Sequence, residues 1–144
     1  PYPPQSERLL AWLEFFQKAN SMVFLNRTSK QSGDAAEDAA LLFLQQQGLR
    51  LLKRNYRTPG RGGGEIDLIM HAPDGTLVFV EVRKRGNSRH GGAAASISVI
   101  KQRRIVFAAR HYLLRLATLP PCRFDVVLQE PQGLQWLQAA FEAS

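Results

Sequence analysis

Two acids stand inside apolar segments that read as strands: Ile66-Asp67-Leu68 and Val80-Glu81-Val82. Between them Ala72-Pro73-Asp74-Gly75 has the chemistry of a tight turn, so a hairpin sets Asp67 opposite Glu81 to within about one residue of register. Directly opposed strand residues hold their Cβ atoms roughly 4.5–5.5 Å apart. Carboxylates that close and buried repel unless one is protonated or a cation lies between them. Hard divalent cations such as Mg2+ or Mn2+ take oxygen ligands of this kind and keep several waters for chemistry. The alternative is a structural acid pair neutralised by Arg83 or Arg123. Side chains alternate along a strand, so Arg83 shares a face with Glu81, and Glu65 shares one with Asp67 as a neighbouring or substitute ligand.

A third carboxylate has two readings. Asp34-Ala35-Ala36-Glu37 has the spacing of a capping box, which makes Glu37 a surface residue. On the following helix, however, Glu37 lies on one stripe with Ala40, Leu41 and Leu44, which points it toward the sheet as a further metal ligand.

The basic residues are distributed unevenly. The net charge is +7, and no acid occurs from Arg83 to Phe124, where Arg83, Lys84, Arg85, Arg89, Lys101, Arg103, Arg104, Arg110, Arg115 and Arg123 fall. Arg50, Lys53, Arg54, Arg57 and Arg61 precede the acids. Such asymmetry points to a polyanion, with a merely solvated basic surface as the bland alternative. Arg54, Arg57, Arg61, Arg85, Lys101 and Arg104 are the candidate nucleic-acid contacts, and Lys101, Arg104, His111 and Arg115 form a row on one helix side. Gln102 flanks this row and can approach the acids from the side. His71, His90 and His111 lack zinc-ligand spacing, and Gly60–Gly64 lacks the Gly-Lys-Ser/Thr ending of a P-loop. Tyr56 and Trp136 are stacking candidates, although a lone aromatic is more often core.

The elements that position these residues follow from periodicity and breakers. Residues 1–33 read as an extension, with an amphipathic helix over Gln5–Lys18 and a polar linker over Asn26–Gly33. The domain proper is 34–144. A helix is predicted from Asp34 to Gln47, stopped by Gly48, then a strand over Leu49–Tyr56 and a mobile loop over Thr58–Gly64. The strands Glu65–Met70 and Leu77–Arg83 are apolar enough to be covered on both faces. After a flexible Gly86–Gly92 segment, a helix over Ser96–Ala117 ends before Pro120-Pro121. Phe124–Gln129 is a last strand and Leu134–Phe141 a mixed tail. The expected fold is α/β, in the order αβββαβ, with a mixed central sheet between helices.

The length of 144 residues suits one ordinary domain, and 44% hydrophobic with 22% charged residues excludes a disordered or fibrous chain. The single cysteine, Cys122, forms no internal disulfide, and no apolar run approaches the roughly 18–20 residues of a bilayer span. A cytoplasmic location without membrane partners is expected.

Gly64-Glu65-Ile66-Asp67-Leu68-Ile69 and Phe79-Val80-Glu81-Val82-Arg83 resemble the small bacterial YraN-like family, as do Gly33–Glu37, Arg54-Asn55 and Arg123-Phe124-Asp125-Val126-Val127. The resemblance covers about residues 32–129. That family in turn is similar to Holliday-junction resolvases and restriction-endonuclease-like nucleases, whose sites follow the pattern Asp…Glu-x-Lys. The resemblance implies a restriction-endonuclease-like core, with Asp67 and Glu81 as metal-binding catalytic acids and Glu37 as the first-helix acid. Arg83 stands where those enzymes carry lysine. The expectation is a metal-dependent endonuclease acting on DNA rather than RNA, using Mg2+ or Mn2+. The alternative is a binding module of the same fold with weakened turnover, with dimerisation through residues 5–25 compatible with either.

Overall fold

The computed structural model describes residues 29–84 and 97–143. The chain separates into two units, Pro1–Ala35 and Ala36–Ser144, and the second contains the sheet. The amphipathic segment Gln5–Lys18, the Gly86–Gly92 segment, Arg85 and His90 lie outside the described residues.

Two helices and five strands follow in the order α1 (Ser29–Gln46), β1 (Arg50–Arg57), β2 (Glu65–His71), β3 (Leu77–Lys84), α2 (Val99–Leu113), β4 (Cys122–Glu130) and β5 (Gly133–Phe141). This is the expected αβββαβ order with one strand added, and it is compatible with a restriction-endonuclease-like core. The sheet order is sequential, β1-β2-β3-β4-β5. Pairing is antiparallel except between β3 and β4, which run parallel because α2 lies in the connection between them.

β2 and β3 are covered on both faces. Leu68, Met70, Val78 and Val80 pack with Ala40 and Leu44 of α1. Ile69, Leu77 and Phe79 pack with Ile105, Ala108, Ala109 and Tyr112 of α2. Alternation along two neighbouring strands thus feeds two separate cores, which is why these segments are almost continuously apolar.

Three local expectations are corrected. α1 begins five residues before Asp34, so Asp34–Glu37 lies inside the helix and is not its cap, and residues 29–33 are helical rather than linker. Leu134–Phe141 belongs to an edge strand, β5, whose Leu, Gln and Ala residues lack the β-branched signal of its neighbours. The loop between β1 and β2 is tied at its base. The Thr58 amide donates to the Gly64 carbonyl at 3.0 Å, and the Gly64 amide donates to Thr58 Oγ1 at 2.7 Å.

Candidate functional site

The β2–β3 ladder runs from His71↔Leu77 to Leu68↔Val80. One step beyond that last pair stand Asp67 and Glu81. Here the Val82 amide donates to Asp67 Oδ2 at 2.8 Å. The expected register therefore holds, and both carboxylates emerge on the sheet face that α2 covers, beside Ile69 and Phe79.

Ser98 starts α2 by accepting the Lys101 amide at 3.1 Å. Just before it, Ile97 is buried with Val126 and Leu128, which seats the helix start over β4. The Gln102 side chain donates to the Ile97 carbonyl at 3.0 Å, so it holds this entry segment instead of reaching toward the acids. With the first turn fixed in this way, Lys101 Nζ comes 3.5 Å from Glu81 Oε1. The sequence places Lys101 only in a row of phosphate contacts. Its approach to Glu81 depends on how the helix crosses the sheet, which spacing along one helix does not encode.

Glu81 is 6% exposed, and no donor reaches its Oε2. Burial, and after it the charge of Asp67, push the Glu81 carboxyl up to about 8 against the opposing charge of Lys101. Burial likewise raises Asp67, against the Val82 amide, a hydrogen bond with Glu81 and the charge of Lys101. In the metal-free protein burial thus favours a proton on the pair, with both carboxyls raised. One shared proton and the Lys101 ammonium neutralise the two carboxylates. Exchange of that proton for a divalent cation would satisfy the orphaned Oε2 and leave one positive charge in excess, so the donor set fits a hard cation.

Arg83 and Lys84 line a cleft of about 490 Å3 together with Glu81, Ser98 and Lys101. Arg83 falls two residues after Glu81 on β3, which alternation assigns to the same face. Lys84 reaches the same cleft from the end of the strand, although alternation alone assigns it to the other face.

The remaining candidates divide. Glu37 is half-buried on α1, whose stripe covers the opposite sheet face. Among the described residues no group of three or more His, Cys, Asp or Glu side chains converges, so Glu37 is not gathered with Asp67 and Glu81. Arg54 lies against α1, with Nη2 2.6 Å from Asp38 Oδ1. Arg57 and Glu65 pair at 3.4 Å at the foot of the β1–β2 loop. Arg61 and Arg104 are exposed. The far end of the α2 row is engaged elsewhere: His111 Nδ1 hydrogen-bonds Tyr56 Oη, and the Arg115 guanidinium lies 5.6 Å from the Tyr56 ring centroid and 4.8 Å from that of Tyr112. Tyr56 is 5% exposed and serves as core, not as a stacking platform.

Arg123, weighed above as a partner for the acid pair, is bound to Asp125 instead, Nε to Oδ1 at 2.9 Å and Nη2 to Oδ2 at 3.0 Å. Trp136 Nε1 donates to Asp125 Oδ2 at 2.9 Å, and the Ala139 amide to Oδ1 at 3.0 Å. Trp136 is thereby a structural residue too.

The family model described as "Uncharacterised protein family UPF0102" matches residues 36–128, the span from the first buried turn of α1 to the end of the β4 core. The chain belongs to the UPF0102 family. A UPF0102 protein of Albidiferax ferrireducens is 78% identical over 116 residues, covering 81% of this chain and 91% of its own. One from Polaromonas naphthalenivorans is 64% identical over 126 residues, covering 81% and 82%. Another, from Methylibium petroleiphilum, is 58% identical over 120 residues, covering 81% and 98%. The family match thus takes in the acid pair, Arg83 and Lys101. Among the described residues no helix is long and apolar enough to cross a membrane.

Proposed function

We propose that this UPF0102 protein is a metal-dependent endonuclease that hydrolyses phosphodiester bonds in DNA. The observation that carries this reading is the pairing of half-buried Asp67 with buried Glu81, whose Oε2 lacks any donor and which lines a cleft together with the cations Arg83, Lys84 and Lys101. Pure nucleic-acid binding gains nothing from carboxylates beside phosphates.

In this reading Asp67 and Glu81 hold Mg2+ or Mn2+. When bound, such an ion polarises a phosphoryl oxygen and lowers the pKa of a coordinated water. The rest falls to the chain's own residues. The Val82 amide fixes the Asp67 carboxylate, and burial by α2 keeps bulk water from screening it. Arg83 supplies a permanent positive charge for the phosphate in the cleft but, always protonated, takes no proton. Lys101 brings a lysine to the acids from the helix, whereas β3 carries Arg83 two residues after Glu81. Its ammonium balances Glu81 in the resting protein and is positioned to stabilise charge developing on phosphorus.

The test is cleavage of plasmid, single-stranded and four-way-junction DNA with Mg2+ or Mn2+ and with chelator. Asp67→Asn and Glu81→Gln abolish cleavage. Lys101→Ala and Arg83→Ala each lose on the order of 10²–10³, as expected for a preorganised charge-stabilising donor. Arg83→Lys stays within roughly tenfold, or about 1.4 kcal/mol of barrier. Metal-independent cleavage, or cleavage indifferent to Glu81→Gln, refutes the assignment. If the wild type binds DNA in a salt-dependent manner without cutting it and Arg83→Lys gains cleavage, the natural protein is a binding module with a disabled site.

A further inference from the structure

Beside the acid pair lies a second cleft, of about 440 Å3, between the Thr58–Gly64 loop and the first two turns of α2. Three cations line it, Arg57, Lys101 and Arg104, against one carboxylate, Glu65. The wall facing them is backbone. Gly60 and Gly62 have φ of 90° and 74°, and a Cβ built on either meets nothing within 4 Å, so the main chain is open to a ligand on that side. Successive amides in such conformations form concavities that suit anions.

The loop is held in place rather than loose. Besides the two hydrogen bonds that tie Thr58 to Gly64, Gly64 is pressed against α2: a Cβ there would lie 1.9 Å from the Arg104 carbonyl oxygen. Only glycine permits that approach, which sets the spacing between the backbone wall and the Arg104 and Lys101 side chains. The residues lining the cleft include no aromatic ring and no Asn or Gln side chain, so its polar groups are a backbone wall and cations, the groups that most often hold phosphate. Lys101 also lines the cleft that contains Glu81 and Arg83, so the two clefts are continuous across that one side chain.

We propose that this glycine-walled cleft binds a backbone phosphate of a single polynucleotide strand, the neighbour of the phosphodiester presented to Asp67 and Glu81. The inference rests on the nuclease reading and extends it: a strand crossing Lys101 places consecutive phosphates on its two sides, and recognition here is independent of sequence.

The test is binding of fluorescein-labelled single-stranded oligonucleotides of two unrelated sequences, followed by anisotropy in EDTA so that no cleavage intervenes. Both sequences bind the wild type with similar affinity. Arg57→Gln and Arg104→Gln each weaken binding by about tenfold and reduce the slope of log affinity against log salt by about 0.7, one single-strand phosphate contact. Glu65→Gln tightens binding several-fold, by removing the opposing charge and releasing Arg57. Arg110→Gln, exposed on α2 and lining neither cleft, stays within about twofold. If oligonucleotides bind but the Arg57, Arg104 and Glu65 variants match the wild type, the cleft assignment is wrong and the nuclease reading survives. If inorganic phosphate binds as tightly as an oligonucleotide, the cleft is a free-anion site and the strand is excluded. If the wild type binds neither sequence at low salt, both readings fall.

Discussion

Two buried acidic sites lie on neighbouring strands of one sheet and are built to opposite ends. Asp125 on β4 is 0% exposed, and its oxygens accept from Arg123, the Trp136 indole and the Ala139 amide. Glu81 on β3 is almost as deeply buried, yet it faces a second carboxylate, has one lysine at 3.5 Å and leaves an oxygen without a donor. The same fold can therefore satisfy a buried carboxylate fully, and does so one strand away. Asp125 spends its charge on holding the β4–β5 ladder together where its register shifts between Phe124 and Val126. Glu81 and Asp67 face each other with no such set of donors around them.

Removal of each charge should expose the contrast. Asp125→Ala removes the shared acceptor of a half-buried arginine, an indole N–H and a backbone amide, and should destabilise the protein by about 3 kcal/mol in denaturant unfolding, the low end of the range for breaking a buried ion pair from one side. A loss under 1 kcal/mol would mean that Asp125 is not the anchor of the β5 edge.

At the other site, Asp67→Asn or Glu81→Gln removes one of two repelling charges. The metal-free variants should stay within about 1 kcal/mol of wild type or gain stability, far from the cost at Asp125. Millimolar Mg2+ or Mn2+ should raise the melting temperature of the wild type, because a ligand bound only by the folded state stabilises it by about 2.7 kcal/mol at a hundredfold excess over Kd. Neither variant should respond. If the metals leave the wild type unmoved, the pair is structural.

The pH dependence sharpens the difference further. Glu81 rises from an ordinary 4.5 to about 8 in the folded protein. Between those values the folded state binds more protons than the unfolded chain, so the contribution of Glu81 is fully present below about 4.5 and is lost as pH climbs through about 8. Metal-free wild type should therefore lose stability across that window, and Glu81→Gln should flatten the profile. A wild-type profile that rises with pH over the same window would contradict the protonated Glu81.

The smallest effect concerns the anchor's own strain. Ala139 has φ 51°, a left-handed conformation that a non-glycine residue adopts at a cost of about 1 kcal/mol, held here by the hydrogen bond that its amide donates to Asp125. Ala139→Gly should be neutral or stabilising by up to about 1 kcal/mol in thermal unfolding. A clear destabilisation would show that the Ala139 methyl packs as core.

What the sequence discloses of these two sites follows from how local each one is. Asp67 and Glu81 are legible because acids break apolar runs on either side of a recognisable turn, and hairpin register follows from the turn. Asp125 sits in an equally apolar run, Phe124-Asp125-Val126, but its partners Trp136 and Ala139 come from β5, whose own strand signal is weak. Lys101 is legible as a basic residue and not as the neighbour of Glu81, since the Ser98 cap and the burial of Ile97 fix that crossing. Asp34 misleads in the opposite direction: it has capping chemistry, but the helix already runs through it from Ser29.

The central claim is that the acid pair exists to hold a divalent cation in place of a shared proton. Calorimetric titration of Mn2+ into the metal-free protein near pH 7, repeated in buffers of different ionisation enthalpy, measures both events at once. The account predicts one Mn2+ per chain, bound with release of about one proton, and no binding to Glu81→Gln. Binding that releases no proton, or that persists in Glu81→Gln, would contradict it.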